Sequence, residues 1–251
     1  MSILYKIFLL CWAAWCILVF IVLCLVLLPI LVIAVLSRSE RLLYAAHFAP
    51  TRLARVCLFL FGIRLEIKNQ EYIDPRGQYI YISNHRSLLD AVIAGAAIPN
   101  YVKFLGKSEM LKWPVLGYLL DKFYVPVQRH DKADRTQSLK LMEEKLKSGC
   151  SFFICPEGSC NTTDQFFTHF YSGAFKVSAD TGIPLVPLTF VGSAERWPRK
   201  EPRIYPGKLI VYWHAPIAAS AFEGDDLAIG KGNAIAMMRE DLLKHYPAGK
   251  Y

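Results

Sequence analysis

Short apolar stretches alternate with longer amphipathic ones along the chain beyond residue 60. The short stretches have the length and the β-branched or aromatic content of strands. They cover residues 64–68, 79–83, 102–106, 123–127, 151–155, 184–191 and 209–214. The longer stretches predict helices at 87–98, 110–120, 135–148 and 227–245. Strands that alternate with helices predict an α/β fold with a mixed, largely parallel sheet flanked by helices.

A long apolar run precedes this region. Residues 7–36 contain no charged side chain and a single proline, Pro29. About 20 apolar residues span a bilayer as a helix, whereas the apolar part of a secretory signal has only about 7–15. The run therefore predicts a permanent membrane anchor, either one tilted spanning helix or two shorter helices that enter one leaflet. The chain is expected to comprise an anchor at 1–60 and an α/β domain at 61–251.

The charge pattern favours a lipid surface. The net charge is +8, and four arginines follow the apolar run at positions 38, 41, 52 and 55. Basic residues beside an anchor favour anionic head groups and the cytoplasmic side of a membrane. Nucleic acid is not expected as a partner, because no zinc-finger, recognition-helix or alternating basic and aromatic pattern is present. The seven cysteines show no paired framework, which fits a reducing compartment.

Polar residues cluster directly after the strand at 79–83, in the segment "SNHRSLLDAVIAG". Ser87 and Asp90 have the spacing of a capping box, which would start the helix that follows. His85 would then lie in the turn before this helix, and the carboxylate of Asp90 would point back toward it. An imidazole held by a carboxylate at one nitrogen presents an oriented base at the other. The local pattern is compatible with a structural cap, with a catalytic pair, or with both.

Two further clusters also follow predicted strands. The segment "CPEGSCN" at 155–161 places Glu157 in a turn, and Lys107 and Arg129 stand near the ends of two other strands. In open α/β sheets, ligands bind beyond the carboxyl ends of the strands, where such side chains converge. We therefore expect His85, Lys107, Arg129 and Glu157 to form one site.

Other kinds of chemistry are less well supported. The chain has no G-x-S-x-G nucleophile elbow and no phosphate-binding loop of the G-x-x-x-x-G-K-[ST] type. Cys150, Cys155 and Cys160 recur at intervals of five, which does not match zinc-ligand spacing, so no metal is expected.

Together, four motifs in this order resemble the glycerolipid acyltransferase family, typified by enzymes that acylate lysophosphatidic acid. The first is N-H-x-x-x-x-D, the second a "GK-x-E" block with a downstream arginine, the third P-E-G-[TS], and the fourth an apolar strand around a proline. They match residues 84–90, 106–109 with Arg129, 156–159 and 183–188. The resemblance covers roughly residues 65–220, and an N-terminal anchor also suits the family.

One position departs from the pattern. Lysophosphatidic acid enzymes commonly have arginine after P-E-G-[TS], but Cys160 stands there in this chain. The variant "PEGSC" is more similar to the branch that includes lysophosphatidylcholine acyltransferases. Loss of a bidentate guanidinium weakens the case for a bare phosphate on the acceptor, although Lys107 and Arg129 remain.

The resemblance implies direct acyl transfer from acyl-CoA or acyl-carrier protein to the hydroxyl of a lysophospholipid, most simply lysophosphatidic acid. It assigns His85 as general base and Asp90 as the residue that orients it, with no cofactor. Amides after Asn84 or near Gly158 are candidates for the oxyanion hole. The substrate-binding residues would be Lys107 and Arg129 for the phosphate and Glu157 for acceptor hydroxyls, together with Gly158 and Ser159. The alternatives are another lysolipid acceptor, either a head-grouped lysophospholipid or a lyso-aminolipid, or a non-catalytic, membrane-attached lipid-binding protein.

Overall fold

The computed structural model describes residues 3–107, 124–127, 132–199, 203–249 and 251. Seven α-helices are described: α1 Ile3–Leu36, α2 Glu40–Leu60, α3 Leu89–Ala97, α4 Lys132–Lys147, α5 Gly173–Thr181, α6 Ser193–Arg196 and α7 Asp226–His245. The described strands are β1 Ile63–Lys68, β2 Ile80–Ser83, β3 Val102–Lys107, β4 Tyr124–Val127, β5 Ser151–Ile154, β6 Leu185–Val191 and β7 Gly207–Trp213. Each predicted strand is found within one or two residues of its expected bounds, whereas the helix expected at 110–120 lies outside the described residues.

The contacts between residues divide the chain into two compact units. The first, here called the membrane-helix unit, comprises Met1–Glu66, Arg86–Ile98 and Gly192–Ile210. The second, here called the sheet unit, comprises Ile67–His85, Pro99–Val191 and Val211–Tyr251. The expected boundary between an anchor at 1–60 and a domain at 61–251 stays a prediction.

The membrane-helix unit contains the long apolar helix. Residues Ile7–Leu36 of α1 form one helix long and apolar enough to cross a membrane, with a mean hydropathy of 3.5, and the helix continues through Pro29. Ser39 is the N-cap residue of helix α2, and its hydroxyl accepts the N–H of Leu42 at 3.4 Å. The indole of Trp15 donates to the carbonyl of Leu60 at 2.9 Å and joins the two helices. The exposed apolar surface of α1 indicates association with a membrane.

Nearly all of the net charge belongs to the membrane-helix unit. The residue ranges of this unit hold twelve lysines and arginines against five aspartates and glutamates, a net charge of +7 out of the +8 of the whole chain. The unit with the long apolar helix is therefore also the basic one, a combination suited to a membrane with anionic head groups.

The sheet of the α/β fold has seven strands in the order β1-β7-β6-β2-β5-β3-β4. The pairings of β6 with β2, β2 with β5, β5 with β3, and β3 with β4 are all parallel. The register places Ile82 of β2 beside Ile154 of β5 and beside Pro187 of β6. Because parallel strands end at the same edge, the segments that follow β2 and β5 emerge side by side. The predicted mixed, largely parallel α/β fold is confirmed.

Alternate residues of the central strands build the core of the sheet unit. Ile80 and Ile82 of β2 and Phe152 of β5 are buried on the face that meets α4, α5 and α7. Those helices contribute Met142, Phe175 and Met238, which are likewise buried. Each such side chain stabilises the fold by about 1.5–3 kcal/mol relative to an exposed position, so the strand ends above this core are held rigidly.

Candidate active site

Asn84 is fully buried and fixes the chain where it leaves β2. Its side-chain oxygen accepts the amide of Phe190 at 2.8 Å, and its side-chain nitrogen donates to the carbonyl of Phe190 at 2.9 Å. The same nitrogen also donates to the hydroxyl of Tyr251 at 3.2 Å. Asn84 thus ties the end of β2 to β6, one residue before His85.

The main chain of the half-buried His85 is bonded at both of its polar groups. Its N–H donates to Oε1 of Glu157 at 2.8 Å, and its C=O accepts the N–H of Asn161 at 2.7 Å. Both partners lie in the segment that follows β5. The predicted convergence of His85 and Glu157 at the carboxyl edge of the sheet is therefore observed in this part of the chain.

Glu157 is 3% exposed, and both of its carboxylate oxygens are engaged within the protein. Oε1 accepts from His85, and Oε2 accepts both the N–H and the hydroxyl of Thr168 at 2.8 Å. Burial raises the pKa of Glu157 above its ordinary value, and the hydrogen bonds from Thr168 and His85 offset part of that rise. The carboxylate faces protein donors, an arrangement that differs from the expected contact with acceptor hydroxyls.

Asp90 caps the turn that leads into α3. Its Oδ2 accepts the N–H of Arg86 at 2.7 Å and the N–H of Ser87 at 2.9 Å, while the hydroxyl of Ser87 accepts the N–H of Leu89 at 3.2 Å. The bond from Ser87 to Asp90 is one half of a capping box, but the N–H of Asp90 donates to the carbonyl of Ser87 at 3.2 Å and not to its hydroxyl. The regular helix starts at Leu89, two residues later than expected, and its N-cap residue is Leu88, which makes no side-chain capping bond. The carboxylate of Asp90 is held against the peptide that directly follows His85.

Gly158 determines the conformation of the turn after β5, and this turn lies beside His85. Gly158 has φ +70°, a left-handed conformation that glycine adopts without strain, and its N–H donates to the carbonyl of Cys155 at 3.0 Å. The buried Sγ of Cys160 lies within 4.8 Å of an imidazole nitrogen of His85. The residue that departs from the family pattern thus lies beside the candidate base, and the expectation that the site holds no metal stays a prediction.

The two groups of amides proposed for an oxyanion hole differ in their bonding. The N–H groups of Arg86 and Ser87 donate to Asp90, and that of Gly158 donates to Cys155. Among the residues that the structure describes, the N–H groups of Ser159 and Cys160 donate to no protein atom. These two amides, on the turn beside His85, can donate hydrogen bonds to a developing oxyanion.

Lys107 and Arg129 are the two residues predicted to bind the phosphate of the acceptor. The backbone of Lys107 ends β3, but its side chain, like the whole of Arg129, lies outside the described residues. Their convergence on His85 stays a prediction.

Three residues of the site were not found from the sequence. Thr168 and Asn161 hold Glu157 and His85 by the bonds given above, and the ring of Tyr251 packs edge to face against Phe166 at 5.4 Å between centroids. Asn161 ends the segment 155–161 but was given no role from the sequence, and Thr168 and Tyr251 belong to no recognisable motif. The segment "NTTDQFFTHF" has no regular apolar period, so only the fold shows which of its polar groups face inward.

Comparison with known proteins identifies the family. The family model described as Acyltransferase matches residues 64–191, a range that contains His85, Asp90 and the turn of Glu157. The chain belongs to the acyltransferase family.

Curated relatives include two plant proteins. The chloroplastic 1-acyl-sn-glycerol-3-phosphate acyltransferase of Arabidopsis thaliana is 34% identical over 177 residues, covering 69% of this chain and 49% of that protein. The corresponding protein of Brassica napus is 31% identical over 177 residues, covering 69% of this chain and 51% of that protein. The matched part of the chain thus spans about half the length of these relatives.

A solved structure has the same fold. The crystal structure of the 1-acyl-sn-glycerophosphate acyltransferase PlsC from Thermotoga maritima matches with a TM-score of 0.75 and 19% identity, covering 92% of this chain and 97% of that chain. At this identity the likeness establishes the fold.

Proposed function

We propose that this chain is a membrane-associated O-acyltransferase that converts lysophosphatidic acid to phosphatidic acid. The observation that carries the proposal is the double main-chain tie of His85 to the segment after β5. A catalytic base must be held within a fraction of an ångström of its proton, and these two bonds hold the backbone that carries the imidazole. The named activity of the two plant relatives supports the choice of acceptor.

In the proposed reaction His85 acts as general base. Its imidazole removes the proton of the acceptor hydroxyl while the oxygen attacks the thioester carbonyl. The tetrahedral intermediate collapses with cleavage of the carbon–sulfur bond, and the imidazolium returns its proton to the leaving thiolate. The products are an ester and a free thiol, without an acyl-enzyme. Base catalysis of this kind contributes about 10²–10⁴-fold.

Asp90 and the turn at Gly158 assist His85 in this proposal. Asp90, held by the amides of Arg86 and Ser87, orients the imidazole and stabilises the imidazolium. The N–H groups of Ser159 and Cys160 stabilise the oxyanion, a contribution that is usually the larger one. Gly158 and Ser159 contact the substrate through this turn.

The acceptor and donor are bound by charge and by the membrane. Lys107 and Arg129 meet the phosphate of the acceptor, and the donor is acyl-CoA or acyl-carrier protein. Cys160 favours a second candidate, a head-grouped lysophospholipid or a lyso-aminolipid, because a cysteine stands where a phosphate-binding arginine is common. Both candidates use the same base and the same donor.

The proposed location of the catalytic residues is the cytoplasmic side of the membrane. The support is the +7 charge of the membrane-helix unit and the arginines directly after α1. A C-terminal fusion to green fluorescent protein should fluoresce in a bacterial host, and a C-terminal fusion to alkaline phosphatase should be inactive. The opposite pair of results contradicts this location.

A lysolipid panel tests the proposed function. Purified protein in mixed micelles is given a labelled acyl thioester and, separately, lysophosphatidic acid, lysophosphatidylcholine, lysophosphatidylethanolamine and a lyso-aminolipid, and the products are separated by thin-layer chromatography. Labelled phosphatidic acid as the main product supports the proposal. A larger yield from another acceptor selects the second candidate, and no transfer to any acceptor favours the non-catalytic alternative.

A further inference from the structure

The buried carboxylate of Glu157 accepts hydrogen bonds from three donor groups. His85 uses Oε1 through its main-chain N–H, and Thr168 uses Oε2 through both its N–H and its hydroxyl, each at 2.8 Å. A carboxylate that binds substrate hydroxyls must present an oxygen to the substrate, but at 3% exposure Glu157 presents its oxygens to the protein.

The hydrogen bond from Asn161 to the carbonyl of His85 is held in place by a separate set of contacts. Asn161, whose N–H bonds the carbonyl of His85, has its side chain bonded inside the same segment. Its Oδ1 accepts from the N–H and hydroxyl of Thr163 at 2.9 and 2.7 Å, and its Nδ2 donates to the carbonyl of Gln165 at 2.8 Å. Residues 157–168 thus form a closed loop that holds both polar groups of the His85 backbone.

We infer that Glu157 is a positioning residue, which fixes the backbone of His85 and is itself fixed by Thr168, and that it does not bind the acceptor. This inference rests on the proposed function, since it concerns the base of that reaction. Its consequence is that Glu157 and Thr168 govern the rate of the chemical step, whereas acceptor affinity depends on other residues.

The electrostatics of the site agree with this role. Burial raises the pKa of Glu157, and a positive charge on His85 acts in the opposite direction. By reciprocity, the Glu157 carboxylate favours the imidazolium that forms during transfer. Glutamine has one side-chain oxygen and one NH2 group, so Glu157→Gln cannot accept from both His85 and Thr168 and should lower stability as well as displace the His85 backbone.

The test compares kcat and KM in four variants of the full-length protein in mixed micelles with lysophosphatidic acid and acyl-CoA. Glu157→Gln should lower kcat about tenfold to a hundredfold, the cost of a small misplacement of a catalytic group. Its acceptor KM should stay within about twofold, because uniform binding is untouched. Thr168→Val should lower kcat several-fold, whereas its matched control Thr168→Ser, which keeps the hydroxyl, should restore at least half of the wild-type value.

A tenfold rise in acceptor KM with unchanged kcat in Glu157→Gln overturns the inference, as does equal kcat in Thr168→Val and Thr168→Ser. Thr168 is exposed, so its variants remain informative even where Glu157→Gln fails to fold. The fourth variant, His85→Ala, separates the two claims. Retained transfer in His85→Ala refutes the proposed function, whereas an inactive His85→Ala beside a KM-only effect of Glu157→Gln refutes the positioning role alone.

Discussion

The main-chain N–H of His85 donates a 2.8 Å hydrogen bond to Oε1 of Glu157, a residue 72 positions further along the chain. The bond follows from the sheet, because β2 and β5 are parallel neighbours with Ile82 beside Ile154. Three residues beyond that pair on each strand, the chain has reached His85 and Glu157. Two motifs that are distant in sequence therefore act as one structural element.

Substitution of Gly158 tests whether the turn geometry matters to transfer. Gly158 has φ +70°, and a Cβ there would lie 3.1 Å from the ring of Tyr171. Gly158→Ala should lower stability by about 1 kcal/mol or more and should also displace Glu157 and the amides of Ser159 and Cys160. We expect at least a tenfold loss of transfer rate by steady-state assay, since such displacement misaligns the site.

Gly182 provides the matched control for this substitution. It has φ +72°, ends α5, and has open space where a Cβ would lie. Gly182→Ala should cost similar stability by thermal melting and leave the rate per folded molecule unchanged. Equal loss of rate in both variants would show that strain alone, and not the position of the turn, is responsible.

Asp90 and Ser87 separate capping from catalysis. Asp90→Asn keeps an oxygen for the amides of Arg86 and Ser87, so stability should fall by only about 1 kcal/mol, but the loss of charge should lower transfer about a hundredfold. Ser87→Ala removes the hydroxyl that accepts from the N–H of Leu89 and donates to the carbonyl of Trp197, and it should also cost about 1 kcal/mol. Its activity should persist. Similar transfer rates in Asp90→Asn and Ser87→Ala would indicate that Asp90 only caps the turn and does not assist catalysis.

The sequence predicts the fold well and the site in part. Short apolar stretches locate the seven described strands, whereas the order of the strands is known only from the structure. Thr168 and Asn161 escape prediction because they lie in an aperiodic segment, and their partners are fixed only once β2 and β5 pair. Helix α2 also escapes prediction, since its 21 residues follow an apolar run that dominates the hydropathy of the N-terminal region.

Cys160 should be a packing residue. Its side chain is buried, and direct transfer requires no thiol on the protein. Cys160→Ala should therefore keep the transfer rate within about threefold and cost about 1 kcal/mol of stability for the small cavity. Rate assays and thermal melting measure both quantities. Abolished transfer in a folded Cys160→Ala would instead indicate that the thiol takes part in the chemistry.

The link between His214 and α7 predicts a pH dependence of stability. Asp241 is buried, which by itself raises its pKa, but His214 at 3.2 Å and Lys244 at 2.8 Å outweigh burial and lower the pKa below its ordinary value. Because its pKa is lowered on folding, the ionised carboxylate stabilises the fold at any pH above the pKa of the unfolded state, which is about 4. This contribution is lost as the pH falls through the pKa of the folded state.

At pH 7, Asp241→Asn should accordingly have a free energy of unfolding about 1–3 kcal/mol below that of the wild type, because the charge-assisted bonds are lost. Its melting temperature should be lower as well. The difference should shrink as the pH falls from 4 toward 3. Glu240, exposed on the same helix, also pairs with Lys244 and provides the control Glu240→Gln, which should change little at either pH. A constant difference across this range contradicts the role of the Asp241 charge.

The most direct test of the central claim is the transfer of a labelled acyl group from acyl-CoA to lysophosphatidic acid by the wild-type protein and by His85→Ala, at equal amounts of folded protein. The wild type should form phosphatidic acid, and His85→Ala should lose at least about 10²-fold of the rate with an unchanged melting temperature, because the half-buried imidazole acts through its basicity and not through packing. Undiminished formation of phosphatidic acid by His85→Ala would contradict the assignment of His85 as the catalytic base.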